Sequence, residues 1–206
     1  MLITGLAGAI NTKQSVQTNP QGNAILLDNV GGVLKSSLMH DHYAMTYNGM
    51  SFSISNQAAV STTAGLATTF TGLVVGNPAG NTYNMVIHRY EVAQFAAGVA
   101  GAVGIMAGQS TTAITNTLTA ANRLYGTGRP TTMACSAGQT IGTPVLLATL
   151  GQIGSVATTA YGLVPGIYVD VDGGIIIPPG YFIASYTSAA TTTALGFTFA
   201  YMEVPL

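Results

Sequence analysis

The sequence predicts an all-β fold: an antiparallel β-sandwich, jelly-roll-like, in a single domain with an extended N-terminal arm. Three observations predict it. β-Branched and aromatic residues recur in short runs cut by Gly, Pro, Asn and Ser/Thr clusters, the pattern of strands and turns. The last run alternates cleanly, with Leu195, Phe197, Phe199 and Tyr201 on one face and Gly196, Thr198, Ala200 and Met202 on the other. Such alternation marks a strand with unlike faces, and the aromatic face belongs in the core. Finally, the 206 residues show no repeat of solenoid length and no Pro-rich or charged linker, so one core suffices. The arm is assigned to residues 1–22 and the sandwich to residues 23–206.

Taken in order, Asn23–Asp28 is a first strand and Val33–Leu38 a second, after Gly31-Gly32. His42–Tyr47 and Met50–Ser55 flank Asn48-Gly49, which readily takes the positive φ angles of a type I′ turn and predicts a hairpin. Thr68–Val75 reads as a strand ending at Gly76-Asn77-Pro78, with residues 77–81 a connecting loop. Tyr83–Phe95 reads as a long strand, with Tyr83, Met85, Ile87 and Arg89 on one face and Asn84, Val86, His88 and Tyr90 on the other. Ala96–Gly128 has no decisive period. Ile114, Leu118 and Ala121 stand about a helical turn apart, whereas repeated Thr favours extended chain, and both readings stay open. Strands resume at Thr131–Ser136, Pro144–Leu150, Gly166–Val171, Gly174–Ile177, Tyr181–Thr187 and Ala194–Val204. Pro178-Pro179-Gly180 forces a tight connection, because neither proline can donate to a ladder.

Charge is scarce. Charged residues make up 5% of the chain, against roughly 25% in average soluble proteins, and the formal net charge is −1. Lys13, Lys35, Arg89, Arg123 and Arg129 are too few to build a basic patch, so nucleic acid is not an expected partner. The best apolar run, Phe95–Met106, is too short and too rich in Gly and Ala to span a bilayer, and no membrane partner is expected. Disorder conflicts with a hydrophobic content of 48%. What remains is a surface covered by other subunits in a symmetric oligomer. Paired threonines such as Thr62-Thr63 and Thr131-Thr132 would give the strands an uncharged but wettable outer face. Cys135 stands alone, which excludes an internal disulfide and suits a small apolar core residue. Residues 1–10 are apolar, but Lys13 follows them, the wrong order for a secretory signal; synthesis without export is expected.

Few residues could carry chemistry. His40 and His42 would share a face of a strand and could approach one metal ion. A site needs three or four ligands, however, and His88 is the one histidine elsewhere, so ordinary polar contacts at a strand edge compete. Asp170 and Asp172 likewise share a strand face ahead of Gly173-Gly174. They resemble a fragment of a calcium loop without its distal glutamate, or a strand ending in an Asp-rich turn. No metal or other cofactor is assigned, and these four residues stand only as candidates. The chain has no Gly-x-Ser-x-Gly elbow and six acidic residues in all. No catalytic residue is assigned, and the chain is not expected to be an enzyme.

The C-terminal segment Asp170-Val171-Asp172-Gly173-Gly174-Ile175-Ile176-Ile177-Pro178-Pro179-Gly180, with Tyr181–Thr187 and the strand ending Tyr201-Met202-Glu203-Val204-Pro205-Leu206, resembles the end of small structural proteins of tailed bacteriophages. Residues 38–49, Leu-Met-His-Asp-His-Tyr-Ala-Met-Thr-Tyr-Asn-Gly, are similar to their beginnings. These proteins include capsid cement or decoration proteins, which often adopt jelly-roll folds and sit as trimers on the head. The resemblance covers about a third of the chain. It implies a homotrimer made in the host cytoplasm and mounted on the capsid surface, where it bridges neighbouring major capsid protein subunits. A tail fibre or adhesin subunit binding a host glycan, through loop aromatics such as Tyr125 and Tyr161, is the alternative. A shell protein, or a carbohydrate-active enzyme on a β-sandwich, stands further off.

Overall fold

A computed structural model describes residues 27–29, 32–34, 41–126, 128–155 and 166–206. The arm expected over residues 1–22, His40 and Tyr161 lie outside these. The chain forms two compact units, Met1–Ala44 and Met45–Leu206. In the first, β1 (Leu27–Asn29) and β2 (Gly32–Leu34) pair antiparallel, with Asn29 opposite Gly32.

Asp41–Tyr47 is a helix, α1, where the sequence predicts one arm of a hairpin. Gly49 does adopt a positive φ, +67°, but as the cap of α1. Its N–H bonds the Thr46 carbonyl at 2.9 Å, and the Met50 N–H bonds the Met45 carbonyl at 2.9 Å. Those two bonds define a Schellman cap. Asn-Gly marks a left-handed glycine in either setting, and seven residues here wind up to it instead of pairing. His42 sits on α1 and not on a strand, and its proposed companion His40 lies outside the described residues.

The second unit is the sandwich. Its strands are β3 (Ser51–Ser55), β4 (Val60–Thr62), β5 (Thr69–Gly76), β6 (Tyr83–Gln94), β7 (Gly101–Gln109), β8 (Ala121–Asn122) and β9 (Ala134–Thr140). After these come β10 (Val145–Ile153), β11 (Ile167–Ile177), β12 (Tyr181–Thr187) and β13 (Thr191–Pro205). One sheet runs β10-β7-β12-β5-β9; the other runs β11-β6-β13-β3-β8, with β4 also on β13. Four antiparallel pairs, β3·β13, β5·β12, β6·β11 and β7·β10, join progressively nearer parts of the chain and alternate between the sheets. A two-stranded ribbon folded over on itself gives this order, that of a jelly roll. β8 and β9 are insertions between β7 and β10 that add one strand to each sheet.

The core lies between the layers. Leu195, Phe197, Phe199 and Tyr201 on β13 are wholly buried, as their alternation predicts, and meet Leu73, Val75, Val103, Ile105 and Ile183 of the facing sheet. Each such side chain contributes about 1.5–3 kcal/mol by leaving water. A second cluster, Phe70, Val74, Met106, Ile141, Phe182 and Ala184, lies on the other face of the β12 sheet. Ile114, in the irregular chain after β7, packs on it, so Thr111–Leu124 forms no helix and instead covers a sheet. Thr62 is buried too. Its hydroxyl meets those of Thr187 at 3.0 Å and Thr191 at 3.1 Å, so this threonine binds strands together rather than wetting an outer face.

Candidate functional site

β6 starts as its sequence predicts, with Met85 and Ile87 buried, but the next buried aromatic is Tyr90, expected on the opposite face. The cause is one extra residue. Ile87 pairs Tyr201 and Arg89 pairs Ala200, so His88 has no counterpart on β13. The strand bulges there, and its inward phase moves from odd to even positions. β11 breaks step at the same place: Asp170 pairs Arg89 and Ile175 pairs Ile87, leaving residues 171–174 opposite His88 alone. Asp172 (φ +44°) and Gly173 (φ +80°) are successive left-handed residues, the φ signature of a type I′ turn. Two predicted strands, Gly166–Val171 and Gly174–Ile177, thus form one strand carrying a tight protrusion.

Both irregularities gather chemistry at one place. His88 Nδ1 lies 3.5 Å from Asp170 Oδ1, with the imidazole nearly buried and the carboxylate half exposed. Ligand atoms of His88 and Asp172 lie within 4.8 Å of each other. Alongside, Arg89 Nε pairs with Glu91 Oε1 at 2.8 Å, and Arg89 Nη1 donates to the Tyr168 hydroxyl at 3.2 Å with its guanidinium over that ring. The Tyr168 hydrogen bond raises the Arg89 pKa most; burial opposes it, and the charges of Glu91 and Asp170 add to the rise. Three of the chain's six acidic residues therefore stand on the β6–β11 pair. Sequence reading found Asp170 and Asp172 but not their partner. The signal was present, since buried-type residues at 85 and 87 and then at 90 and 92 mark a phase change at His88.

A second polar group closes one end of the sandwich. Glu203 continues the inward face of β13 and is wholly buried. Its Oε1 accepts from Thr131 Oγ1 at 2.6 Å and the Thr132 N–H at 2.9 Å. Its Oε2 accepts from Arg129 Nη2 at 2.6 Å and Thr132 Oγ1 at 3.0 Å. Arg129 lies over the rings of Phe52 and Tyr83, with its Cζ 5.3 and 4.9 Å from their centroids. Thr131 spends its proton on Glu203, so the Tyr201 hydroxyl, 2.8 Å away, is the donor to Thr131. With both oxygens saturated, this carboxylate is a structural clasp between the β8–β9 insertion and β13. Cys135 lies beside it, and burial, with a smaller contribution from the Glu203 charge, pushes its thiol up to about 12 despite a hydrogen bond with Tyr201.

The depressions are poor in chemistry. A cavity of about 180 Å³ is lined by Asn77, Pro78, Ser110, Ala113, Ile114 and Ala134, none of them titratable. A shallower one of about 300 Å³ beside Tyr168 offers one carboxylate, Glu91. Among the described residues, the sheet edges are more distinctive. β10 ends its sheet with Val145 63%, Leu146 37% and Leu147 46% exposed, and no residue of β10 is charged. On β11, the neighbouring edge of the other sheet, Tyr168 and Ile176 are each 57% exposed.

No family model matches the chain, and comparison with curated proteins and with solved structures finds no significant match either. Fold and surface together define its class: an antiparallel jelly-roll sandwich whose β10 edge is apolar and uncharged. No helix among the described residues is long and apolar enough to cross a membrane.

Proposed function

We propose that the protein is a structural subunit that assembles with copies of itself, in the manner of a phage capsid cement or decoration protein. A trimer straddling neighbouring capsid subunits would oppose the internal pressure of packaged DNA by adding buried interface at their joints. The observation that carries this reading is the β10 edge. Three consecutive apolar residues, Val145, Leu146 and Leu147, stand exposed on an edge strand that carries no charge. Monomeric proteins protect such edges with Lys, Pro or a covering loop. A stable interface needs about 800 Å² from each partner, more than one strand supplies, and the exposed Tyr168 and Ile176 of β11 extend the apolar surface beyond it.

Light scattering behind a sizing column tests the proposal. The wild-type chain is expected at three times its 20.9 kDa mass, and Leu147→Lys shifts it toward the monomer with unchanged circular dichroism. A wild-type monomer at every concentration would sink the assembly reading. One observation favours the fibre or adhesin alternative: Tyr125 is 92% exposed in the loop before Arg129, a ring placed for stacking on a sugar. Retention on a glycan array that Tyr125→Ala abolishes would select that reading over cement.

A further inference from the structure

We infer that His88, Asp170 and Asp172 form a binding site for a divalent transition-metal ion, best matched by zinc. The chain places charge sparingly, yet half of its carboxylates stand on the β6–β11 pair, two of them around its bulged histidine. Bulges re-aim side chains, and here two bulges face each other, one presenting the imidazole and the other the turn that carries Asp172. Asp172 holds a left-handed backbone that most residues avoid, and this turn sets its Cα beside the bulged histidine.

The distances suit a shared ion. Two donors on one tetrahedral zinc, each about 2.0–2.1 Å from it, stand about 3.3–3.4 Å apart. His88 Nδ1 and Asp170 Oδ1 are 3.5 Å apart. The Asp172 carboxylate is exposed and has an oxygen within 4.8 Å of an imidazole nitrogen of His88. One imidazole with two carboxylates suits zinc, and the nitrogen donor argues against calcium or magnesium, which take oxygen ligands. Water would complete the coordination on the exposed side. Cys135 belongs elsewhere, buried beside Glu203. All three donors come from one sandwich, so the site stands whether or not the chain oligomerises.

The test is calorimetric titration of the EDTA-treated full-length protein with Zn²⁺, together with the visible spectrum of the Co²⁺ form. One ion per chain is expected, with Co²⁺ d–d bands and without the intense charge-transfer band of a thiolate ligand. Asp172→Asn keeps a residue that tolerates left-handed backbone, so this variant retains the fold while weakening binding at least about tenfold. His88→Gln and Asp170→Asn weaken it likewise. No binding by the wild-type chain, or affinity unchanged in Asp172→Asn, overturns the site and leaves His88 and Asp170 as an ordinary ion pair.

Discussion

A carboxylate on the core face of a strand is tolerable only when its oxygens are fully hydrogen-bonded, and Glu203 meets that condition with four donors. Removing it would leave the Arg129 charge and two threonines facing each other without an acceptor. Glu203→Ala is therefore expected to cost about 3–5 kcal/mol in chemical denaturation, the usual result of breaking a buried pair from one side. Cys135 makes a second prediction. Its thiol is raised from an ordinary 9.0 to about 12 by burial. Above pH 9 the unfolded chain gives up this proton while the folded chain keeps it, so rising pH favours unfolding. That stability is complete below pH 9 and is lost as pH climbs toward 12. Burial raises the Tyr90 and Tyr201 hydroxyls in the same direction. Urea midpoints that fall steadily across this window, with a thiol inert to disulfide reagents at pH 8 until the chain unfolds, are the expected results.

At the scale of elements, the cap on α1 gives the sharpest expectation. Gly49→Ala forces a Cβ into a φ of +67° and should cost about 1 kcal/mol, read as a lowered denaturation midpoint. The same glycine shows how far the sequence could be read. Asn48-Gly49 announces a left-handed residue, but a hairpin turn and a helix cap ask for the same thing, and the flanking residues decide between them only through tertiary packing. Where side chains alternate without interruption, as on β13, both the strand and its buried aromatic face were legible, whereas β12 was legible as a strand but carries core residues on both faces. β9 was legible only in outline, beginning three residues later than expected. β7 was not legible at all, because its Gly and Ala serve close approach: a side chain on Gly104 would strike the Ala148 carbonyl across the pairing with β10. In the β6–β11 group the carboxylates were visible as a motif. Their histidine was hidden because the alternation assumed for β6 has no place for an inserted residue.

At the scale of the molecule, the jelly-roll order makes most pairings long-range. β3 and β13 are neighbours in one sheet although they open and close the sandwich. Chains whose contacts join distant segments fold slowly, on the order of milliseconds to seconds, and refolding by dilution should fall in that range or beyond it. The six-stranded sheet turns a dense aromatic layer into the core, with Tyr90 and Phe199 ring centres 4.7 Å apart, so near-ultraviolet circular dichroism should report the final packing step. The central place of β13 has a further consequence for a chain made from its N-terminus. β3 and β6 both hydrogen-bond to β13 and never to each other. Until Thr191–Pro205 leaves the ribosome, the six-stranded sheet lacks its middle, and two sticky strands wait open on either side of the gap. Translation therefore acts as a timer: the six-stranded sheet becomes competent to close only when β13 is released.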